Sequence, residues 1–261
     1  MEIGASDLLA VGSGSLVGFI LGVIGGGGSI LAVPLLVYVV GVKSPHVAIG
    51  TGSVAVALSA FVNLIDHARR GNVCWPAAVP FAFAGVFGAT LGSTLGKHTD
   101  GQKLLTLFGL LMIVVAAAMF TRTGGAVTAP VRIGRRNIAA LLAIGALVGA
   151  LAGFFGIGGG FLVVPGLIAA TAMPLIMAIG SSLVSVTAFG LTTAANYAAS
   201  DLIDWRLVAL FVGGGILGGI AGGRLAAYLA PKKRALSVLF ASVVAAVGLY
   251  VVARGIANFS G

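Results

Sequence analysis

The stretch GVIGGGGSILAVPLL (Gly22 to Leu36) places four consecutive glycines and a proline inside one of the most apolar runs of the chain. Glycine and proline are the residues a helix interior tolerates least, and an interrupted backbone is most costly where no water can reach it. Its surroundings make this a membrane problem. The 261 residues are 59% hydrophobic and only 8% charged, whereas soluble domains carry roughly 25% charged residues. Apolar runs of about 20 residues follow one another almost to the end, as in a polytopic helical membrane protein. They do not alternate with polar residues, which argues against a β-barrel. The opening MEIGASDLL has neither a basic region nor a cleavage site and reads as the start of the first membrane segment.

The broken stretch occurs twice. GSLVGFILGVIGGGGSILAVP (Gly14 to Pro34) aligns with GALVGALAGFFGIGGGFLVVP (Gly145 to Pro165) at an offset of 131 residues. AIGTGSV (Ala48 to Val54) then meets AIGSSLV (Ala178 to Val184) at an offset of 130. Trp75, Gly85, Gly88 and Gly92 meet Trp205, Gly215, Gly218 and Gly222 at that same offset. The chain therefore reads as two homologous halves, 1–128 and 129–261, joined by a polar linker at about 121–137. Each half is a broken segment followed by three unbroken ones.

The broken segment is about 35 residues, roughly 50 Å as a continuous helix, too long for one crossing of about 30 Å. If it crosses once, the basic residues divide eight to seven between the two sides. If it folds back, ten collect on one side, and Lys43, Lys97, Lys103, Arg206 and Arg254 lie opposite. The positive-inside rule selects the fold-back. The expectation is an all-α integral membrane protein of two inverted-topology repeats. Each repeat is a Gly/Pro-broken re-entrant hairpin plus three transmembrane helices, with both termini outside the inner (plasma) membrane. Net charge is +9, and the basic residues between apolar runs point to lipid and topology, with no nucleic acid as partner. Inverted repeats with interrupted helices are the architecture of secondary transporters, which bind solute where the breaks meet.

The twin pattern G-x-x-x-G-x-x-G-x-G-G-x-x-x-x-x-P, at Gly18 to Pro34 and Gly149 to Pro165, resembles the TauE/SafE sulfite exporter family. So do the segments Ala48 to Ser53 and Ala178 to Ser182 and the later glycine-spaced helices. The first motif departs from the second in having four glycines and then Ser29, and Gly52 stands where many members have serine. The resemblance implies a carrier of small sulfur-containing anions such as sulfite, sulfonates or sulfoacetate.

All six acids, all three histidines and every lysine and arginine lie at segment ends or in loops. An interior without carboxylates disfavours a cation substrate. Anions can instead be held by free peptide N–H groups at a helix start, helped by the helix dipole and by glycines that allow close approach. The candidate anion-binding residues are Gly25, Gly26, Gly27, Gly28 and Ser29, with Gly156, Gly158, Gly159 and Gly160, as two facing cradles. Thr51, Ser53, Ser181 and Ser182 would complete the shell, and Asn63 and Asn196 are further candidates. The partner is a small anion; a homodimer is compatible with the sequence.

Other features read as structural. The fourfold-spaced glycines form helix-packing faces. Asp201 and Asp204 cap the helix that begins at Trp205, Trp75 and Trp205 anchor at the interface, and His46 is a solvated loop histidine. No cofactor is implied: GGGGSI lacks the Lys-Ser/Thr of a P-loop, and the single Cys74 makes no disulfide or thiolate cluster. No catalytic or metal-binding residues emerge, since an intramembrane enzyme would need a nucleophile with a base, or a metal site, in an interior that offers neither His nor carboxylate. A channel would need a ring of Arg or Lys, which is not visible.

Overall fold

The computed structural model describes residues 4–24, 26–121, 134–228 and 233–259. Most of the predicted linker, both termini and Gly25 lie outside the described residues. The described chain is helical throughout, without a β-strand. Helix α1 (Ala5–Ile24) is followed by a 3-10 turn (Gly26–Leu31), the short α2 (Ala32–Pro34) and a π turn (Leu35–Val39). Then come α3 (Pro45–Arg69), α4 (Trp75–His98), α5 (Gly101–Thr121), α6 (Arg135–Phe155), α7 (Gly160–Thr171), α8 (Leu175–Ala198), α9 (Trp205–Tyr228) and α10 (Lys233–Phe259). Seven of these helices contain stretches long and apolar enough to cross a membrane.

The helix starts follow from local chemistry. Pro45 and Pro76 occupy first-turn positions, where a missing N–H is harmless. Asp204 accepts from Leu207 N at 3.0 Å, and Asp100 accepts from Gln102 N and Lys103 N at 3.1 Å, so each carboxylate satisfies donors that a first turn leaves open. Asp201 does not share the capping role expected of it. It sits in the preceding turn with φ 53°, a left-handed conformation that short polar side chains tolerate.

Both broken segments fold back. In the second half, Asn137 at the start of α6 donates from Nδ2 to the carbonyl of Ala170, near the end of α7, at 2.8 Å. In the first half, a methyl group at Gly28 would lie 2.6 Å from Leu21 N and 3.0 Å from the Val17 carbonyl oxygen. A straight helix would hold residues 17 and 28 roughly 16 Å apart. The two return arms end alike, on Gly41 (φ 85°) and Ala172 (φ 53°), 131 positions apart. They differ inside. The second is one regular helix that absorbs Pro165; the first alternates 3-10, α and π turns. A run of glycines does not hold one set of backbone angles, and Pro34 follows within two turns.

Glycines set the packing. A Cβ at Gly14 or Gly18 would fall onto the backbone of Phe211 or Gly215, and one at Gly214, Gly218 or Gly222 onto that of Val11, Ser15 or Phe19. Both numberings rise together, so α1 and α9 run parallel at backbone contact. Gly88, Gly92 and Gly96 meet Ala146, Ala150 and Phe154 in the same manner, which makes α4 and α6 parallel. The long arm of each hairpin thus beds on a helix of the other half, and the expected small-residue faces are the seams that hold it.

Two other pairs run the opposite way. Gly50 lies against Leu202, Gly190 against Ala57 and Gly180 against Asn72, so α3 and α8 are antiparallel. Gly109 meets Gly248 and Gly255 meets Thr106, so α5 and α10 are too. The main apolar cluster joins the first hairpin (Leu21, Ile30, Leu36) to α3, α5 and the second break (Ile49, Phe108, Phe155, Ile157).

Candidate anion site at the helix breaks

Helix α6 ends on Gly156 with φ 65°, and Gly158 and Gly159 follow at φ 64° and 68°. Three left-handed residues within four positions are strained for any residue with a Cβ. The break closes itself at its two ends. Ile157 N donates to the Ala152 carbonyl at 3.2 Å, and Gly159 O accepts from Leu162 N at 2.8 Å and Val163 N at 2.9 Å. Between these bonds, the N–H groups of Gly158, Gly159, Gly160 and Phe161 find no acceptor among the described residues. All four residues are buried. Buried donors without partners are uncommon and costly, and at the start of a helix they are the donors an anion would use.

The surroundings of this break differ from the expected cradle. A Cβ on Gly158 would stand 3.1 Å from both Val56 and Val186, and one on Gly156 would overlap Ile49. Branched apolar side chains therefore cover the Cα faces of these glycines. The first break is built otherwise. Gly26, Gly27, Gly28 and Ser29 lie in the 3-10 turn; Gly28 is pressed on the backbone of α1, and Ser29 is fully buried.

The four hydroxyl candidates are engaged with protein groups. Thr51 Oγ1 accepts from Asp204 N at 3.0 Å, and Ser181 Oγ accepts from Cys74 N at 2.8 Å. Thr51 and Ser181 are 130 residues apart, and so are Cys74 and Asp204. The same bond thus recurs with the halves exchanged. Ser53 donates to the Ile49 carbonyl at 2.7 Å and also reaches the carbonyl of Gly156 at 2.9 Å, tying α3 to the second break. Ser182 bonds back to Ile179 O within its own helix at 2.7 Å.

Asn63 likewise donates to Ser59 O at 2.9 Å. Asn196 bridges to α4 through Ser93 Oγ at 2.6 Å and Thr94 Oγ1 at 2.9 Å. Beside it, Lys97 Nζ donates to the Asn196 carbonyl and to Ser200 Oγ, both at 2.9 Å. His46 is not the solvated loop residue that the sequence suggests. Because Pro45 starts α3 directly, His46 is in the first turn, half-buried, with Nε2 3.1 Å from the Thr99 carbonyl and its ring stacked on Tyr197.

Sequence reading misses a set of groups on α8. Ser185 Oγ, Thr193 Oγ1 and the Tyr197 hydroxyl are buried without a hydrogen-bond partner among the described residues. They stand eight and four residues apart, so one side of α8 carries all three. That spacing is visible in the sequence; that the groups lack partners is not. Tyr197, Ile157, Phe155 and Phe161 belong to the same buried cluster.

A helical chain with seven segments fit to cross a membrane, folded hairpins and glycine-sealed seams is a multi-pass membrane protein. The profile of the family described as Sulfite exporter TauE/SafE matches residues 10–251, and the chain belongs to that family. It is 51% identical over 257 residues to a probable membrane transporter protein of Xylella fastidiosa (strain 9a5c), covering 97% of both chains. It is 24% identical over 241 residues to the probable membrane transporter protein YunE of Bacillus subtilis (strain 168), covering 83% of this chain and 87% of that one. A probable membrane transporter protein of Haemophilus influenzae is 27% identical over 186 residues, 67% of each chain. No solved structure matches the chain. Family and relatives together make it a membrane transporter.

Proposed function

We propose that the protein is a secondary carrier of small sulfur-containing anions, of the sulfite, sulfonate or sulfoacetate type, in the inner membrane. It works by alternating access of two inverted halves, residues 1–128 and 129–261, each contributing a re-entrant hairpin. The observation that carries the reading is the row of four buried, unbonded peptide N–H groups from Gly158 to Phe161. They offer hydrogen bonds and the positive end of α7 to a negative solute, with no fixed cation to trap it. Antiparallel pairing of α3 with α8 and of α5 with α10 supports the inversion. The exchanged bonds Thr51–Asp204 and Ser181–Cys74 support the repeat.

The sulfur chemistry follows from family membership; the geometry itself asks only for a small oxyanion. Purified protein in liposomes should give saturable flux of at least one of sulfite, sulfoacetate and sulfate. Gly158→Val should insert into the membrane and lose that flux, because the added side chain pushes Val56 and Val186 apart at the break. Wild-type vesicles indistinguishable from empty ones with all three anions would refute the substrate class.

A further inference from the structure

Thr171, Thr187 and Thr192 each turn the side-chain hydroxyl back to the carbonyl four residues earlier, at 2.8, 2.7 and 2.8 Å, the ordinary use of a threonine inside a helix. Thr193 does not. Its Oγ1 and the hydroxyl of Tyr197, one turn further along α8, have no hydrogen-bond partner among the described residues, and both residues are fully buried. Valine and phenylalanine would fill nearly the same space without stranding a polar atom. The two hydroxyls are therefore costly unless something pairs with them.

Their neighbours on the helix say where they stand. Val186, Gly190, Thr193 and Tyr197 follow one another by four, three and four residues and so share one face of α8. At one end of that face, Val186 meets Gly158 of the second break. Gly190 then packs on Ala57 of α3 and on the Ser53 carbonyl. At the other end, Tyr197 lies against Gly50, with its ring stacked on His46 in the first turn of α3. The face thus leads from the unbonded N–H groups of the break to the start of α3, roughly 16 Å from Val186 to Tyr197 at 1.5 Å per residue. Thr193 stands between.

The corner at Tyr197 is duplicated. A methyl group at Gly50 would overlap the Leu202 carbonyl and lie 3.1 Å from Tyr197 Cβ. One at Gly180 would overlap the Asn72 carbonyl and lie 3.2 Å from His67 Nδ1. Each of these residues is 130 positions from its counterpart. His67 Nδ1 is likewise buried and unbonded among the described residues. Packing alone would select an apolar ring, yet both halves place a ring with an open polar atom at this corner.

We infer that Thr193 and Tyr197 are solute-contacting residues of the carrier. Their hydroxyls donate hydrogen bonds to the solute on its way between the second break and the start of α3. The inference rests on the carrier reading above and adds to it side chains that the break itself does not supply. A neutral hydroxyl suits this task, because it pairs with an oxygen acceptor and still lets it leave.

Tyr197→Phe and Thr193→Val remove little but the hydroxyls. Each purified variant should melt at the wild-type temperature or above it, while its sulfite flux in liposomes, measured well below saturation, falls several-fold. Thr193→Ser should keep most of the flux. A clearly lower melting temperature in either variant would show a structural partner for that hydroxyl and overturn the inference, as would wild-type flux in either.

Accessibility tests the same face without transport. In a Cys74→Ala background, Thr193→Cys should react with a small sulfonate-bearing methanethiosulfonate, and methanesulfonate should slow the reaction several-fold. Ala194→Cys is the control: the adjacent residue is also buried but packs with Val54 and Val208, and it should stay unmodified. Equal reaction at both positions, or none at Thr193→Cys, would overturn the inference. If the wild-type protein moves no sulfur oxyanion, the proposed function fails by itself, and accessibility still decides whether solute reaches Thr193.

Discussion

Thr51 and Ser181 hold equivalent posts: each hydroxyl accepts the backbone N–H that precedes the first residue of a helix in the opposite half. Thr51→Val removes the acceptor at nearly constant volume and strands the Asp204 N–H, which should cost about 1–3 kcal/mol. The drop in melting temperature of the purified protein measures it, and Thr51→Ser should restore most of the loss. The pairing of AIGTGS with AIGSSL makes these hydroxyls conspicuous in the sequence, but their role as ligands to solute does not follow. Their partners are main-chain groups some 107 and 153 positions away, and a peptide N–H carries no residue-type signal. Gly156 offers a second test at this scale. Gly156→Ala adds about 1–2 kcal/mol of left-handed strain and drives a methyl into Ile49, so both stability and flux should fall, whereas Gly12→Ala, with open space around it, should leave both intact.

At the scale of the element, the glycine seams are what the sequence declares most openly. Spacing by four on α1, α4, α6 and α9 marks faces made for backbone contact, and those faces do meet at the backbone. What the spacing withholds is the partner. Each stripe is compatible with any other, and the choice of α9 for α1 and α6 for α4 comes from the whole arrangement of hairpins. Gly18→Leu or Gly149→Leu should therefore abolish a folded, monodisperse species in size-exclusion chromatography, because a side chain would have to occupy the place of Gly215 or Gly85 backbone. Gly213→Leu, on the same α9 but with nothing near its Cα, should elute normally. The first return arm was legible only as broken. Its sequence of 3-10, α and π turns is not encoded by a period, since glycines impose none, and it settles where α1 and α3 leave room.

For the molecule as a whole, the direction of each helix can be followed through its contacts. The start of α1 and the start of α9 share the Asp7–Arg206 ion pair. Val47 in the first turn of α3 lines a pocket with Asp7 and Arg206, and Gly101 at the start of α5 rests on Pro45. Near the end of α10, Gly255 lies on Thr106 of α5. One face thus gathers the starts of α1, α3, α5 and α9 with the end of α10. It also gathers Lys43, Lys97, Lys103, Arg206 and Arg254, the minority set of the ten-to-five division. If the positive-inside rule governs insertion, this face looks outward, with the start of α1 and the end of α10 on it. In a Cys74→Ala background, single cysteines at Met1 and at Gly261 should each react with a membrane-impermeant maleimide in intact cells. A cysteine replacing Arg69, at the far end of α3, should react only after the membrane is opened. Labelling of Arg69→Cys but neither terminus in intact cells would turn the molecule over and put the Lys43 face on the cytoplasmic side. Labelling of one terminus alone would contradict the packing of α10 against α5, which sets the end of α10 beside the start of α5.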